Sequence, residues 1–208
     1  MTRTTLTEAD YRAAAKSLDC SVAAVKAVAE VESVGDGFLA SGEVKILFEA
    51  HVFDRLTGGK YRRSHPNISS ARWNRSLYGP GGQHQHRRLQ QAVALDRDAA
   101  LQSASWGMFQ VMGFNWKVCG YKSLQAFIND VSASAAGQLR AFVGYVKARG
   151  LADELQRLDW PGFAYGYNGT GYAANHYDTK MAAAYRRHAR VADFSRVTSR
   201  VTSTERAR

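Results

Sequence analysis

Residues 27–38 read A-V-A-E-V-E-S-V-G-D-G-F, the end of a helix broken by glycine. Ser21 is a fit N-cap, and Val22, Ala24, Val25, Ala27, Val28 and Ala29 follow without a breaker until Gly35 and Gly37. The helix is expected from Ser21 to about Val34. Val25, Val28 and Glu32 fall at i, i+3 and i+7, so Glu32 continues the apolar stripe that faces the core. Glu30 sits four residues after Lys26, on the side where a solvated ion pair is expected. A carboxyl on the apolar face is costly to bury as an anion, and such a group tends toward a raised pKa. That property suits a general acid working near neutral pH. The plainer reading is a helix-end glutamate whose side chain reaches water.

The 208 residues suffice for one good core, or for one domain carrying a smaller insert. No apolar run approaches a membrane span, and the first ten residues, M-T-R-T-T-L-T-E-A-D, carry no hydrophobic signal core. Synthesis in the cytoplasm is therefore expected. Cys20 and Cys119 lie far apart without metal-ligand spacing, so free buried thiols are expected. The 28 Lys+Arg against 18 Asp+Glu leave a formal net charge of +10, which favours polyanionic partners: nucleic acid, an anionic membrane surface, or a wall bearing free carboxylates. No recognised nucleic-acid motif accompanies that charge.

Outward from residues 27–38, the upstream chain opens on T-E-A-D at Thr7, a cap with acids in the first turn, and Tyr11, Ala14, Ala15 and Leu18 supply a helical period up to Asp19–Cys20. Downstream, Gly35 to Lys45 is glycine-rich and opens into I-L-F-E-A-H-V-F-D-R-L-T-G-G from Ile46. Phe48, Val52 and Leu56 share a helical face, whereas Val44 to Phe48 alternates, so a short strand leading into the helix is equally readable. Glu49 shares a face with Phe53 and Leu56, and Asp54 sits on another side. Lys60 to Gly82 reads as loop with a short helix near Ala71 to Leu77. One helix is expected from about Gln85 to Gln102. His84 and His86, at i and i+2, diverge on a helix and have no third ligand nearby, so no metal is expected. Gln110 lies inside the apolar run S-A-S-W-G-M-F-Q-V-M-G-F from Ser103, where an amide is either bonded into the core or lines a cleft. Helical stripes follow at Leu124, Phe127 and Ile128 and at Leu139, Phe142, Val143 and Val146, then a short helix from Ala152 to Leu158. Trp160–Pro161 leads into Y-N-G-T-G-Y, and a last helix is expected from about Tyr177 to Val191. Phe194 to Arg208 is rich in Ser, Thr and Arg and reads as a poorly ordered basic tail. There is no internal repeat.

Three features stand in order: E-S-x-G at Glu32 to Gly35, S-W-G-M-F-Q at Ser105 to Gln110, and Y-N-G at Tyr167 to Gly169. This order resembles the lysozyme superfamily, specifically goose-type lysozymes and lytic transglycosylases. The flanking G-D-G-F-L-A-S-G-E-V-K-I-L-F-E-A-H-V-F, D-W-P-G-F-A-Y-G-Y-N-G-T-G-Y and Y-D-T-K look like the phage-type N-acetylmuramidase family, over about residues 10 to 190. The resemblance implies a mostly α, lysozyme-like helical fold with at most a minor β-hairpin. Residues 1–121 and 160–195 then form the catalytic domain, 122–159 a small helical lobe that helps bind peptidoglycan, and 196–208 the basic tail.

By its place in the Glu-Ser motif, Glu32 matches the family's general acid. For a second carboxylate, Glu49 is the first choice and Asp54 the second. A structural role for Glu49, pairing with an arginine or capping a backbone, stays equally open. Glu49, Asp54 and Thr57 also loosely echo the E-x8-D-x5-T pattern of shorter phage lysozymes, an assignment that would make Glu49 the acid. Gln110, Tyr167 and Asn168 resemble cleft residues that hold sugar N-acetyl and hydroxyl groups and orient the acid; core packing for Tyr167 and a turn at Asn168–Gly169 are the plain alternatives. The tryptophans read as core, with one or two free to stack on sugar.

The implied function is an endolysin that is made in the host cytoplasm and acts on the periplasmic wall, hydrolysing the β-1,4 bond between N-acetylmuramic acid and N-acetylglucosamine in peptidoglycan. It is expected to be a monomer, to need no cofactor or metal, to bind no nucleic acid, and to be held by its charge to an anionic envelope surface. The rivals are a lytic transglycosylase forming 1,6-anhydro-muropeptides and a non-catalytic wall-binding module.

Overall fold

The computed structural model describes the backbone of residues 4–33 and 37–205 and the side chains up to residue 191. Val34 to Asp36, with Gly35 of the first motif, lie outside the described residues. Ten helices and three short strands are described. The helices are α1 (Glu8–Leu18), α2 (Val22–Glu32), α3 (Ala50–Leu56), α4 (Gln83–Val93), α5 (Arg97–Gln102), α6 (Leu124–Ala133), α7 (Ala135–Ala148), α8 (Ala152–Arg157), α9 (Trp160–Asn168) and α10 (Tyr177–Glu205). The strands are β1 (Ile46–Phe48), β2 (Ala104–Trp106) and β3 (Val111–Met112). The fold is mostly α, as expected. The chain divides into two compact units, residues 7–33 with 149–208, and residues 1–6 with 34–148. The helices between 124 and 157 are shared out: α6 and α7 belong to the latter unit and α8 to the former.

In the unit built from 7–33 and 149–208, local signals set the helix ends. Thr7 and Asp10 form a reciprocal capping box at the start of α1, and Asp19 closes that helix in the left-handed conformation at φ 52°. Ser21 Oγ accepts from the Ala24 N–H at the start of α2, and Asp159 caps α9 through the Gly162 N–H with Pro161 in its first turn. Helix α2 buries Ala23, Ala24, Val25, Ala27, Val28 and Ala29, a small-residue face against which α10 packs. Met181 and Ala184 of α10 are fully buried. Glu30 lies on the solvated side, but its partners are Arg187 and His188 of α10, while Lys26 pairs with Glu8. The expected Lys26–Glu30 pair is replaced because both side chains find oppositely charged groups on neighbouring helices. Helix α10 runs to Glu205, well past the expected Val191. Side chains of the basic segment 196–208 lie outside those described, as do residues 206–208 altogether.

In the unit of residues 34–148, the strands form one antiparallel sheet in the order β1-β2-β3, with Ile46 opposite Trp106 and Ser105 opposite Met112. Ile46–Phe48 therefore resolves as strand and Ala50–Leu56 as helix. The β content is one strand more than a hairpin. Phe48, Phe53, Phe127 and Phe142 are fully buried, each contributing about 2 kcal/mol. The continuous helix expected from Gln85 to Gln102 is broken: Asp96 turns out of the helix and caps α5 through the Ala99 N–H. The helix expected near Ala71 to Leu77 is one 3-10 turn, Arg75–Leu77, capped by Asn74.

Two buried amides hold this unit together. Gln138 of α7 donates to Gly37 O and Val131 O and accepts from the Met108 N–H. A Cβ at Gly37 or Gly107 would overlap that side chain. Gln85 of α4 accepts from the Phe48 N–H and from Arg88 Nη1, and donates to Tyr78 O and Pro80 O. All four hydrogen-bonding positions of a buried amide are thus used. Both cysteines are free, and burial pushes each thiol up to about 11.

Candidate active site

Of the sequence-predicted residues, Glu32, Tyr167 and Asn168 lie in the unit of residues 7–33 and 149–208, and Glu49, Asp54 and Gln110 lie in that of 34–148, where they share no partners. In the first, Glu32 is the last residue of α2 and Asn168 the last of α9. Glu32 is half-buried, and its Oε1 accepts from Asn168 Nδ2 at 2.8 Å. Burial lifts the Glu32 pKa above the ordinary carboxylate value, and the Asn168 amide pulls partly against it. A helix C-terminus also disfavours an added negative charge. Tyr167, next to Asn168, stacks on the buried Phe163 with ring planes 10° apart and centroids at 5.7 Å. It serves packing on one face at least. The Ser33 N–H closes α2 on Ala29 O.

The second cluster surrounds Glu49, in the unit of residues 34–148. Glu49 occupies the N-cap position of α3 without capping it. Its Oε2 accepts from the Tyr78 hydroxyl at 2.5 Å and lies 3.2 Å from His51 Nδ1. The Tyr78 oxygen in turn accepts from Trp73 Nε1 at 2.7 Å. A hydroxyl has one proton, so Tyr78 must direct it at Glu49. Burial, and then the Glu49 carboxylate, push Tyr78 up to about 12, so that proton stays in place at neutral pH. A recess lined by Phe48, Glu49, His51, Tyr78 and Arg88 leaves about 10 Å³ open beside the carboxylate, room for a single water.

Asp54 is buried and belongs to the fold. Its oxygens accept from Arg62 Nη2 at 2.7 Å, Arg62 Nε at 3.0 Å and Ser69 Oγ at 2.9 Å. The Arg62 guanidinium holds its carboxyl below the usual value. The Thr57 hydroxyl donates to Phe53 O at 2.8 Å, inside its own helix end. The loose Glu49–Asp54–Thr57 pattern is therefore not a working trio: two of its three groups are occupied by structural bonds.

Gln110 is the exposed residue of an otherwise buried β2–β3 turn, at φ 48°. Its amide folds back, accepting from Ser105 Oγ and donating to Gly107 O, both at 2.7 Å. The Gly-x-x-Gln segment is a self-bonded turn: Gly107 at φ 71° makes it, and Gln110 ties it off. His86 Nε2 lies 2.9 Å from Val44 O, and no group of three or more metal-ligating side chains exists among the described residues. Trp106 and Trp160 are core, whereas Trp73 is 60% exposed.

Sequence reasoning missed Tyr78, His51, Trp73 and Arg88. His51 lies two residues on from Glu49, whereas Tyr78, and Trp73 behind it, come near only because the loop before α4 folds back on β1. The one signal available was an aromatic pair, Trp73 and Tyr78, inside an otherwise polar loop.

The family whose model matches this chain is described as N-acetylmuramidase, over residues 21–189. Among solved structures, the chain is similar to a Burkholderia AP3 phage endolysin, with a TM-score of 0.85 and 39% identity over 90% of this chain and 73% of that one. No curated protein matches.

Proposed function

The chain belongs to the N-acetylmuramidase family, lysozyme-type glycoside hydrolases that take peptidoglycan as substrate, and from that premise we propose that it is a phage endolysin with Glu32 as its general acid. The observation that carries the assignment is the placement of Glu32: half-buried at the end of α2, raised in pKa by burial, and aimed by the Asn168 amide. A carboxyl of this kind holds its proton long enough to deliver it to the glycosidic oxygen as the muramic C1–O bond breaks. The leaving N-acetylglucosamine then departs as an alcohol, and water completes the muramic product. Glu49 is the second carboxylate. Tyr78 and His51 hold one of its oxygens, and the water-sized recess beside it suits a group that activates a nucleophile. Asp54 has no part in the chemistry, because its oxygens are committed to Arg62 and Ser69.

The test is lysis of permeabilised cells and digestion of purified wall by Glu32→Gln and Glu49→Gln, made singly. Each is expected to fold and to lose activity, Glu32→Gln by about 10³-fold. Full activity in both variants would sink the assignment. Mass spectra of the wild-type digest should show hydrated muropeptides; products one water lighter would mean a transglycosylase instead. The configuration of the fresh reducing end, read by NMR, reports inversion or retention.

A further inference from the structure

Helix α4 presents His84, Arg87, Arg88 and Gln91 at i, i+3, i+4 and i+7, one face of the helix. That face lines a hollow of about 180 Å³, closed on its other side by Asn67 and Leu77. Among the described residues, no acidic side chain lines it. The Asn67 amide donates to Gln91 Oε1 at 3.0 Å and fixes the rim. Arg87 is exposed and His84 half-exposed, while Arg88 is only 5% exposed.

Arg88 is the unusual member. Its Nη1 donates to Phe48 O and Gln85 Oε1, and its Nη2 to Asn67 O. All three acceptors are neutral, and no carboxylate lies within 4.0 Å of it among the described residues. Two of its five N–H donors, the Nε–H and the second on Nη2, find no acceptor among the described residues. A buried guanidinium with no carboxylate in direct contact is costly to fold around; the nearby Glu49 charge offsets burial only in part, and three carbonyl-type bonds hold the group rigidly here. Arg88 and Leu77 also line the recess that holds Glu49, so the two hollows share a wall.

Resting on peptidoglycan as the substrate, we propose that this hollow receives a carboxylate of the peptide stem carried on the muramic sugar. The stem hangs from the glycan at the sugar's lactyl group and is the part of peptidoglycan that bears free carboxylates. A rigid, half-satisfied guanidinium with a second arginine and an imidazole one turn away matches a carboxylate in charge and in fork geometry. The muramidase then grips its substrate by the acidic stem as well as by the sugars, which makes a peptide-bearing strand a better substrate than a bare one.

The test is calorimetric titration of the full chain with three probes: a soluble stem tripeptide with free carboxylates, the same peptide fully amidated, and inorganic phosphate. The acidic tripeptide is expected to bind, the amidated peptide not to, and phosphate to bind more weakly. Arg87→Gln should weaken the tripeptide about tenfold, the loss of one charge-assisted hydrogen bond, and His84→Gln, also near the surface, should weaken it by less. Arg88→Lys, which keeps the charge and loses the fork, should weaken it as well, with the fold checked by circular dichroism. Equal binding of the amidated peptide, phosphate binding as tightly as the tripeptide, or no effect of Arg87→Gln and His84→Gln would each overturn the proposal. Digestion of stem-free glycan by the wild-type chain separates the two readings. If stem-bearing wall is not cleaved either, the glycosidase assignment fails, whereas the titration reports on the hollow alone.

Discussion

Asn168 Nδ2 donates to Glu32 Oε1 at 2.8 Å, joining the last residues of two helices that lie 136 positions apart in the chain. The bond favours the carboxylate, against the burial that favours the acid. Asn168→Ala removes the opposing influence, so the Glu32 pKa should rise further. The alkaline limb of the kcat/KM profile is then expected to move to higher pH. At the same time kcat should fall about tenfold, since the acid is no longer aimed. A limb that moves to lower pH, or stays in place, would count against Glu32 as the acid.

Tyr78→Phe deletes the proton that Tyr78 directs at Glu49 while leaving the ring beside Trp73. Activity should drop about tenfold to a hundredfold, in kcat rather than KM. Thermal unfolding should shift little, because the ring and its packing remain. A loss confined to KM would assign Tyr78 to sugar binding instead.

Asp54→Asn should behave in the opposite way, costing stability and sparing the chemistry of the folded fraction. Because Arg62 is half exposed, the loss at neutral pH is expected to be about 1–2 kcal/mol, read from denaturant unfolding. Asp54 titrates below its ordinary value of 3.8 when folded. Its contribution is therefore complete above that ordinary value and fades as pH falls through the depressed folded value. The gap between wild type and variant should close toward strong acid. Glu32 runs the other way: its raised folded pKa contributes stability below the ordinary 4.5, lost as pH rises through the folded value.

Gly107→Ala meets two obstacles at once, a φ of 71° and a Cβ inside the Gln138 side chain. Together they should cost about 2–3 kcal/mol, measured as a lowered unfolding midpoint. Gly42→Ala is the control, with a similar φ of 87° but open space around it, and it should cost about 1–2 kcal/mol.

What could be read from the chain without a structure was what neighbouring residues decide. Thr7, Ser21, Ser123 and Asp159 each cap a helix through a bond to a residue three positions on, a relationship visible in the text. Glu32 was legible for the same reason, as its stripe is set by helical spacing. The misreadings lie where distant segments decide. Asp54 looks like a free acid until Arg62 and Ser69 fold over it. Gln85 looks like the gap between two histidines, yet it is the buried residue of the three. The Glu49 cluster spans 29 positions and passes through a loop without periodicity.

Gln138 touches Gly37 and Met108 from a helix 101 and 30 positions further along. One amide thus fastens the entry to β1, the β2–β3 turn and α7 in a single knot. None of the three can open while the other two stay closed without stranding a buried polar group. Hydrogen exchange at the Met108 amide would then track loss of the whole knot, and the turn bearing Gln110 would inherit the rigidity of a helix it does not adjoin in sequence.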